Sequence, residues 1–291
     1  MMSIRSILVP LDGASDNRSI LENALKMARP FGALVEALHV RADARDSIPL
    51  FGEGMSGDMV EEMITNAERD ATEKATALKT LFEEVCAQQN VPQVQNGNGA
   101  EGVSARWCEH VGREDDVLSW QGRLSDLVVC ARPVADSSPM RALTLNAALF
   151  ESARPVLLLP NPPHAQDIGR VVAIAWNGTA QAARAVQGAM AFITRAAEVH
   201  VMTCDSTIVD GLSPGEELAV YLKRWGVSAQ VTRFAQGPHS VGETLLEHAG
   251  NVHADLFVCG AYSHSRFVQT VLGGVTSALM DTATIPVLFG H

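Results

Sequence analysis

The sequence predicts an α/β protein of two tandem doubly wound domains, each built on a five-stranded, mainly parallel sheet. Three observations carry this. At 291 residues the chain is long enough for two domains. Short apolar runs alternate with helical patterns throughout, the signature of parallel strands joined by helical crossovers. And the order of landmarks in the first half recurs in the second, as an internal repeat requires.

The landmarks run as follows. Ile-Leu-Val-Pro-Leu-Asp-Gly at 7–13 matches Val-Val-Ala-Ile-Ala-Trp-Asn-Gly at 171–178: an apolar strand, an acid or amide, then glycine. Each is followed by helical spacing, through Ile20, Leu21, Ala24, Leu25 and Ala28 in the first half, and Ala182, Val186, Ala189, Met190 and Ile193 in the second. Second strands are read at 34–40 and 198–204. The first half then has a Pro- and Gly-bearing loop at 46–55 and a long Glu-, Ala- and Lys-rich helix at 56–89. A strand at 103–110 and a helix at 115–124 follow. The second half has a helix at 214–225, a strand at 228–234 and a helix at 240–251. Asp-Leu-Val-Val-Cys at 126–130 matches Asp-Leu-Phe-Val-Cys at 255–259, and proline opens the last strand of each half, at Pro155 and Pro286. Uninterrupted apolar strands of this kind suit burial on both faces. The boundaries read from this pattern are 1–160 and 168–291, joined by a proline-stiffened linker.

Composition narrows the function. Hydrophobic residues are 47% and charged residues 19%, enough for packed cores. The net charge of −11 opposes nucleic-acid binding, which needs clustered Lys and Arg. Cys86, Cys108, Cys130, Cys204 and Cys259 are odd in number, widely spaced and without a CxxC pair. That fits a reducing, cytoplasmic setting. No secretory signal and no membrane-length apolar run is read.

In doubly wound sheets ligands bind at the carboxyl ends of strands where the strand order reverses, here after strands one and four of each half. In the second half the segment after strand four reads Cys259-Gly260-Ala-Tyr-Ser263-His264-Ser-Arg266, then Gly273-Gly274-Val275-Thr276-Ser277. Glycines permit close backbone approach, and the N–H groups opening the next helix can cradle an anion. Thr276 and Ser277 add hydroxyls and Arg266 adds charge. His264 lies within this loop, either as a solvent-facing residue or as a phosphate contact.

This pattern resembles the universal stress protein family, whose nucleotide-binding members carry Gly-x-x-Gly, nine residues, then Gly-Ser or Gly-Thr after strand four. Here the spacing is kept as Gly260-x-x-Ser263 and Gly273-Gly274, with Ser263 in place of a glycine and Gly274 in place of a hydroxyl residue. The resemblance covers nearly the whole chain. It implies the adenine nucleotide α-hydrolase-like fold and a phosphate set of Gly260, Ser263, Gly273, Gly274, Val275 and Thr276. It also implies an adenine wall of Ala175, Cys204 and Cys259, with Asn177 where family binders carry Asp. ATP or another adenine nucleotide, with Mg2+, is the implied ligand. A homodimer, or an intramolecular pseudo-dimer through the last strands, is the implied assembly. In the first half Asp12 is family-like. However, Ala131-Arg132-Pro133 and Ala142-Leu143-Thr144 replace the glycines, over an interval two residues shorter.

The nine histidines and five cysteines show no zinc-type spacing, so no structural metal is expected. GxxxxGK[ST], GxSxG, HExxH and His-x-x-His are all lacking, so no dedicated catalysis is expected beyond slow hydrolysis. Two further readings stay open at this point. One is a nucleotide-free interaction or scaffold protein, motivated by Ser263 and Gly274. The other is an enzyme on a small adenylate or lipid-like ligand.

Overall fold

The computed structural model describes residues 3–43, 57–95, 102–133, 139–161, 167–205, 214–235, 238–261 and 274–291. The expected loop at 46–55, most of the linker and the segment from Tyr262 to Gly273 lie outside these residues.

The first half contributes β1 (Ser6–Pro10), α1 (Asn17–Ala28), β2 (Leu34–Arg41), α2 (Gly57–Gln88), β3 (Ser104–Val111), α3 (Glu114–Gly122), β4 (Leu127–Ala131), α4 (Pro139–Glu151) and β5 (Val156–Leu159). The second contributes β6 (Val171–Ala175), α5 (Ala180–Ile193), β7 (Glu198–Cys204), α6 (Pro214–Lys223), β8 (Ala229–Phe234), α7 (Val241–Asn251), β9 (Leu256–Gly260), α8 (Gly274–Thr282) and β10 (Val287–Gly290). Every element read from the sequence is present, with ends shifted by a residue or two. Helix starts follow local chemistry. Thr179 caps α5 by accepting from the Ala182 N–H at 3.3 Å, and Ser240 and Glu243 close a capping box on α7.

The strands form one ten-stranded sheet, ordered β3-β2-β1-β4-β5-β10-β9-β6-β7-β8. All neighbours are parallel except β5 and β10, which pair antiparallel with Leu288 opposite Leu157. The two five-stranded sheets expected from the sequence are therefore halves of a single sheet, joined edge to edge through the proline-opened last strands. This pairing removes two open edges, which would otherwise invite association with other chains.

Alternation along the strands sends side chains to two apolar cores, one on each face, and each core runs through both halves. One holds Ile7, Val9, Val35, Phe82, Leu127, Val129, Leu157, Val172, Ile174 and Leu288. The other holds Leu8, Leu38, Val128, Val156, Ala173, Phe257, Val287 and Phe289. Each buried Leu or Phe contributes roughly 2 kcal/mol by removal from water. The long α2 is amphipathic only towards its end: its buried residues are Ala75, Leu78, Phe82, Val85 and Cys86.

The halves share local devices as well. Asp126 accepts from the N–H groups of Arg5 and Ser6, at 2.7 and 3.0 Å, tying the start of β4 to β1. Asp255 does the same between β9 and β6, accepting from Gly169, Arg170 and Val171. Gly13 and Gly178, which follow the first strand of each half, both have positive φ, +87° and +73°. Only glycine adopts that backbone without strain, so the shared strand-acid/amide-glycine pattern is a turn requirement.

Candidate functional site

The strand order reverses between β1 and β4 in the first half and between β6 and β9 in the second. Both switch points lie where the sequence placed them, but they differ chemically.

In the second half, Ala175 ends β6, Cys204 ends β7 and Cys259 stands next to last in β9. All three meet the same apolar core, with Val275 of α8 packed against it. Cys204, Cys259 and Thr276 are buried. Burial pushes the Cys259 thiol up to about 12, which favours the protonated thiol at neutral pH. Asn177 is exposed beyond β6. Its Oδ1 accepts from the Thr179 hydroxyl at 2.7 Å and from the Thr179 N–H at 3.2 Å, which orders the turn into α5. Ser277 Oγ donates to Asp281 at 3.2 Å. Gly274 opens α8. Ser263, His264, Arg266 and Gly273 fall outside the described residues. The structure thus brings Ala175, Cys204, Cys259 and Val275 together on one face, with Gly260 and Asn177 at the strand ends.

Gly260 has a role the sequence did not disclose. A Cβ there would lie 2.6 Å from the Ala182 backbone N and 2.7 Å from the Gln181 carbonyl carbon. Its register partner Gly290 would place a Cβ 2.3 Å from Ala185 N. The two glycines make a flat step on which the first turns of α5 rest. Close backbone approach at Gly260 is thus to a helix of the same half.

In the first half the switch point is filled by charge. Arg141 of α4 donates to Asp12 (Nε to Oδ2 2.9 Å, Nη2 to Oδ1 3.0 Å) and to Asp16 (Nη1 to Oδ2 and Nη2 to Oδ1, both 2.7 Å). Its side chain is only 8% exposed. Asp12 Oδ1 also accepts from Ala14 N–H and from Asn17 Nδ2, at 3.0 and 2.8 Å. Thr144 donates to Glu114 at 2.8 Å nearby. The void left among these groups is roughly 20 Å³. Arg141 is the residue that sequence reasoning missed. It sits two residues into a helix whose partners lie over a hundred positions away, and the only local signal was the loss of glycine at 142–143.

Burial raises the Asp12 carboxyl, but the Arg141 hydrogen bonds and those from Ala14 and Asn17 outweigh it and hold the group at about 2 against an ordinary 3.8. A lowered folded value gives stability that is complete above the unfolded value and is lost as pH falls through the folded one. Asp12 is therefore expected to contribute ~2 kcal/mol at neutral pH, lost between about pH 4 and pH 2. Urea unfolding of Asp12→Asn against the native chain over that range checks this: the variant's midpoint is expected to fall less steeply towards acid. Burial pushes the Glu114 carboxyl the other way, above its ordinary range.

Among the described residues, no group of three or more His, Cys, Asp or Glu is placed to hold a metal ion. Among the same residues, no helix is long and apolar enough to cross a membrane.

The model of the universal stress protein family matches residues 170–289, the stretch from β6 to the end of β10. Through its second half, the chain is similar to the universal stress protein family. Solved structures share the fold of the whole chain. A universal stress protein from Archaeoglobus fulgidus DSM 4304 is 13% identical, with 97% of each chain covered and a TM-score of 0.64. A putative universal stress protein from Pseudomonas aeruginosa UCBPP-PA14 is 16% identical, with 98% of this chain and 92% of that one covered and a TM-score of 0.55. The cytoplasmic domain of a prokaryotic cation chloride cotransporter is 11% identical, with 98% and 95% covered and a TM-score of 0.51. At such identities the likeness concerns the fold, which universal stress proteins share with a transporter domain. No curated protein matches the sequence.

Proposed function

We propose that this chain acts as a universal stress protein and binds an adenine nucleotide, ATP with Mg2+ being the first choice, in a second domain spanning 168–291. The domain at 1–160 is structural in this reading, and the protein works in the cytoplasm without a dedicated catalytic apparatus. One observation carries the reading. The switch point of the second half pairs an apolar wall (Ala175, Cys204, Cys259) with a neutral rim, in the half that matches the family model. Asn177 and Gln181 stand where the first half has Asp12 and Asp16, which replaces two carboxylates that would repel a phosphate with neutral amides. α8 begins at Gly274, and a helix N-terminus presents a positive end that favours an anion.

Equilibrium dialysis with labelled ATP and Mg2+ is expected to find one nucleotide per chain. A Gly274→Asp protein is expected to bind at least tenfold more weakly while melting no lower. A carboxylate at a helix N-terminus favours the helix yet repels phosphate. Absence of binding at millimolar ATP would favour a nucleotide-free interaction protein.

A further inference from the structure

We infer that Asp12 and Asp16 form a guanidinium-binding site, which the chain fills with its own Arg141. The two carboxylates present four oxygens to one planar fork, and three of its nitrogens are engaged at 2.7–3.0 Å. Such a double bidentate arrangement suits guanidinium and no spherical cation. The receptor side is held independently of the arginine. Asp12 Oδ1 is fixed by Ala14 N–H and Asn17 Nδ2, and Asn17 Oδ1 in turn accepts from Gly13 N–H at 2.9 Å. Asn17 itself is 1% exposed. Removing the Arg141 side chain is therefore expected to enlarge the small cavity bounded by Asp12, Asn17, Glu114 and Thr144, with Asp16 on the far side of the vacated guanidinium.

The second half supports the assignment by losing every part of it at once. Counting from the first strand of each half, Asp12 and Asp16 correspond to Asn177 and Gln181. Counting back from the proline that opens the last strand, Arg141 corresponds to Leu272, which lies outside the described residues. The same count sets buried Leu145, Ala148 and Ser152 against buried Thr276, Leu279 and Ala283. Fork and receptor are present together in one half and replaced together by neutral residues in the other, as expected of a single recognition unit. Its consequence is a first half whose switch point is occupied in cis and lined with carboxylates, opposed to any phosphate-bearing ligand.

Chemical rescue tests this, with no nucleotide involved. Arg141→Ala is expected to lower the melting temperature by several degrees, since it leaves two partly buried carboxylates uncompensated. Guanidinium chloride at 1–20 mM is expected to recover at least half of that loss along a saturable curve. Equal NaCl should do nothing, and the native chain should show no gain. An Asp12→Asn, Asp16→Gln, Arg141→Leu protein, carrying the second half's residues, should fold and ignore guanidinium. If Arg141→Ala is too unstable to purify, Arg141→Gln takes its place in the same titration. A variant that responds to guanidinium no more than to sodium, or that melts with the native chain, would overturn the inference.

Discussion

A Gly290→Val protein is expected to lose the packing of its second half, with stability reduced by about 3 kcal/mol or more. The reason is geometric. A side chain at position 290 would begin 2.3 Å from Ala185 N and 2.4 Å from Ala185 Cα. Those are backbone atoms of α5, so the clash cannot be relieved by a rotamer change. The helix must lift from β9 and β10 and expose Val186, Met190 and Ile193, all buried against the sheet. Gly260→Ala is expected to act the same way through Gln181 and Ala182. Gly250→Ala supplies the control. Gly250 lies near the end of α7, its φ is not positive, and a Cβ there meets nothing within 4 Å. That variant is expected to be neutral or slightly stabilising, because alanine favours the helix. Urea unfolding of the three proteins measures the contrast.

Leu288→Asp is expected to cost as much or more, and to cost it everywhere. Leu288 is fully buried in the middle of the sheet, paired across the antiparallel seam with Leu157. A carboxylate there lacks a partner and water, and the nearest neighbours are apolar residues of both halves. The expected loss is at least 3 kcal/mol. Both apolar cores cross the seam, so the halves are expected to melt together in a single transition, displaced to lower temperature. Calorimetry of the native chain and the variant checks both points. Two separated transitions in the native chain would show that the seam does not couple the halves.

Much of the fold was legible because its signals are local. Periodicity marked the helices, and the matched aspartates, glycines and prolines marked the repeat. Asp126 and Asp255 now have a physical reason for matching: each ties the fourth strand of its half to the first. The antiparallel seam was open to expectation only as one of two assemblies, because β5 and β10 read as ordinary buried strands whichever edge they meet. Of the candidate site, the mutual placement of the expected wall residues was legible. Ala175, Cys204 and Cys259 do share a face, since strand ends follow from strand positions. Gly260 was read for a ligand's approach, and the structure places the α5 backbone against it. A sequence records that a Cβ is excluded, but not by what. Arg141 was illegible for the opposite reason: its meaning lies in Asp12 and Asp16, which it meets only because α4 packs on β4, the neighbour of β1 in the sheet.

Hydrogen–deuterium exchange with and without ATP and Mg2+ tests the central claim most directly. Protection is expected at 175–182, 259–261 and 274–277, with the first-half switch point at 10–17 and 140–145 unchanged. Protection at 10–17 and 140–145, or at neither switch point, would contradict it.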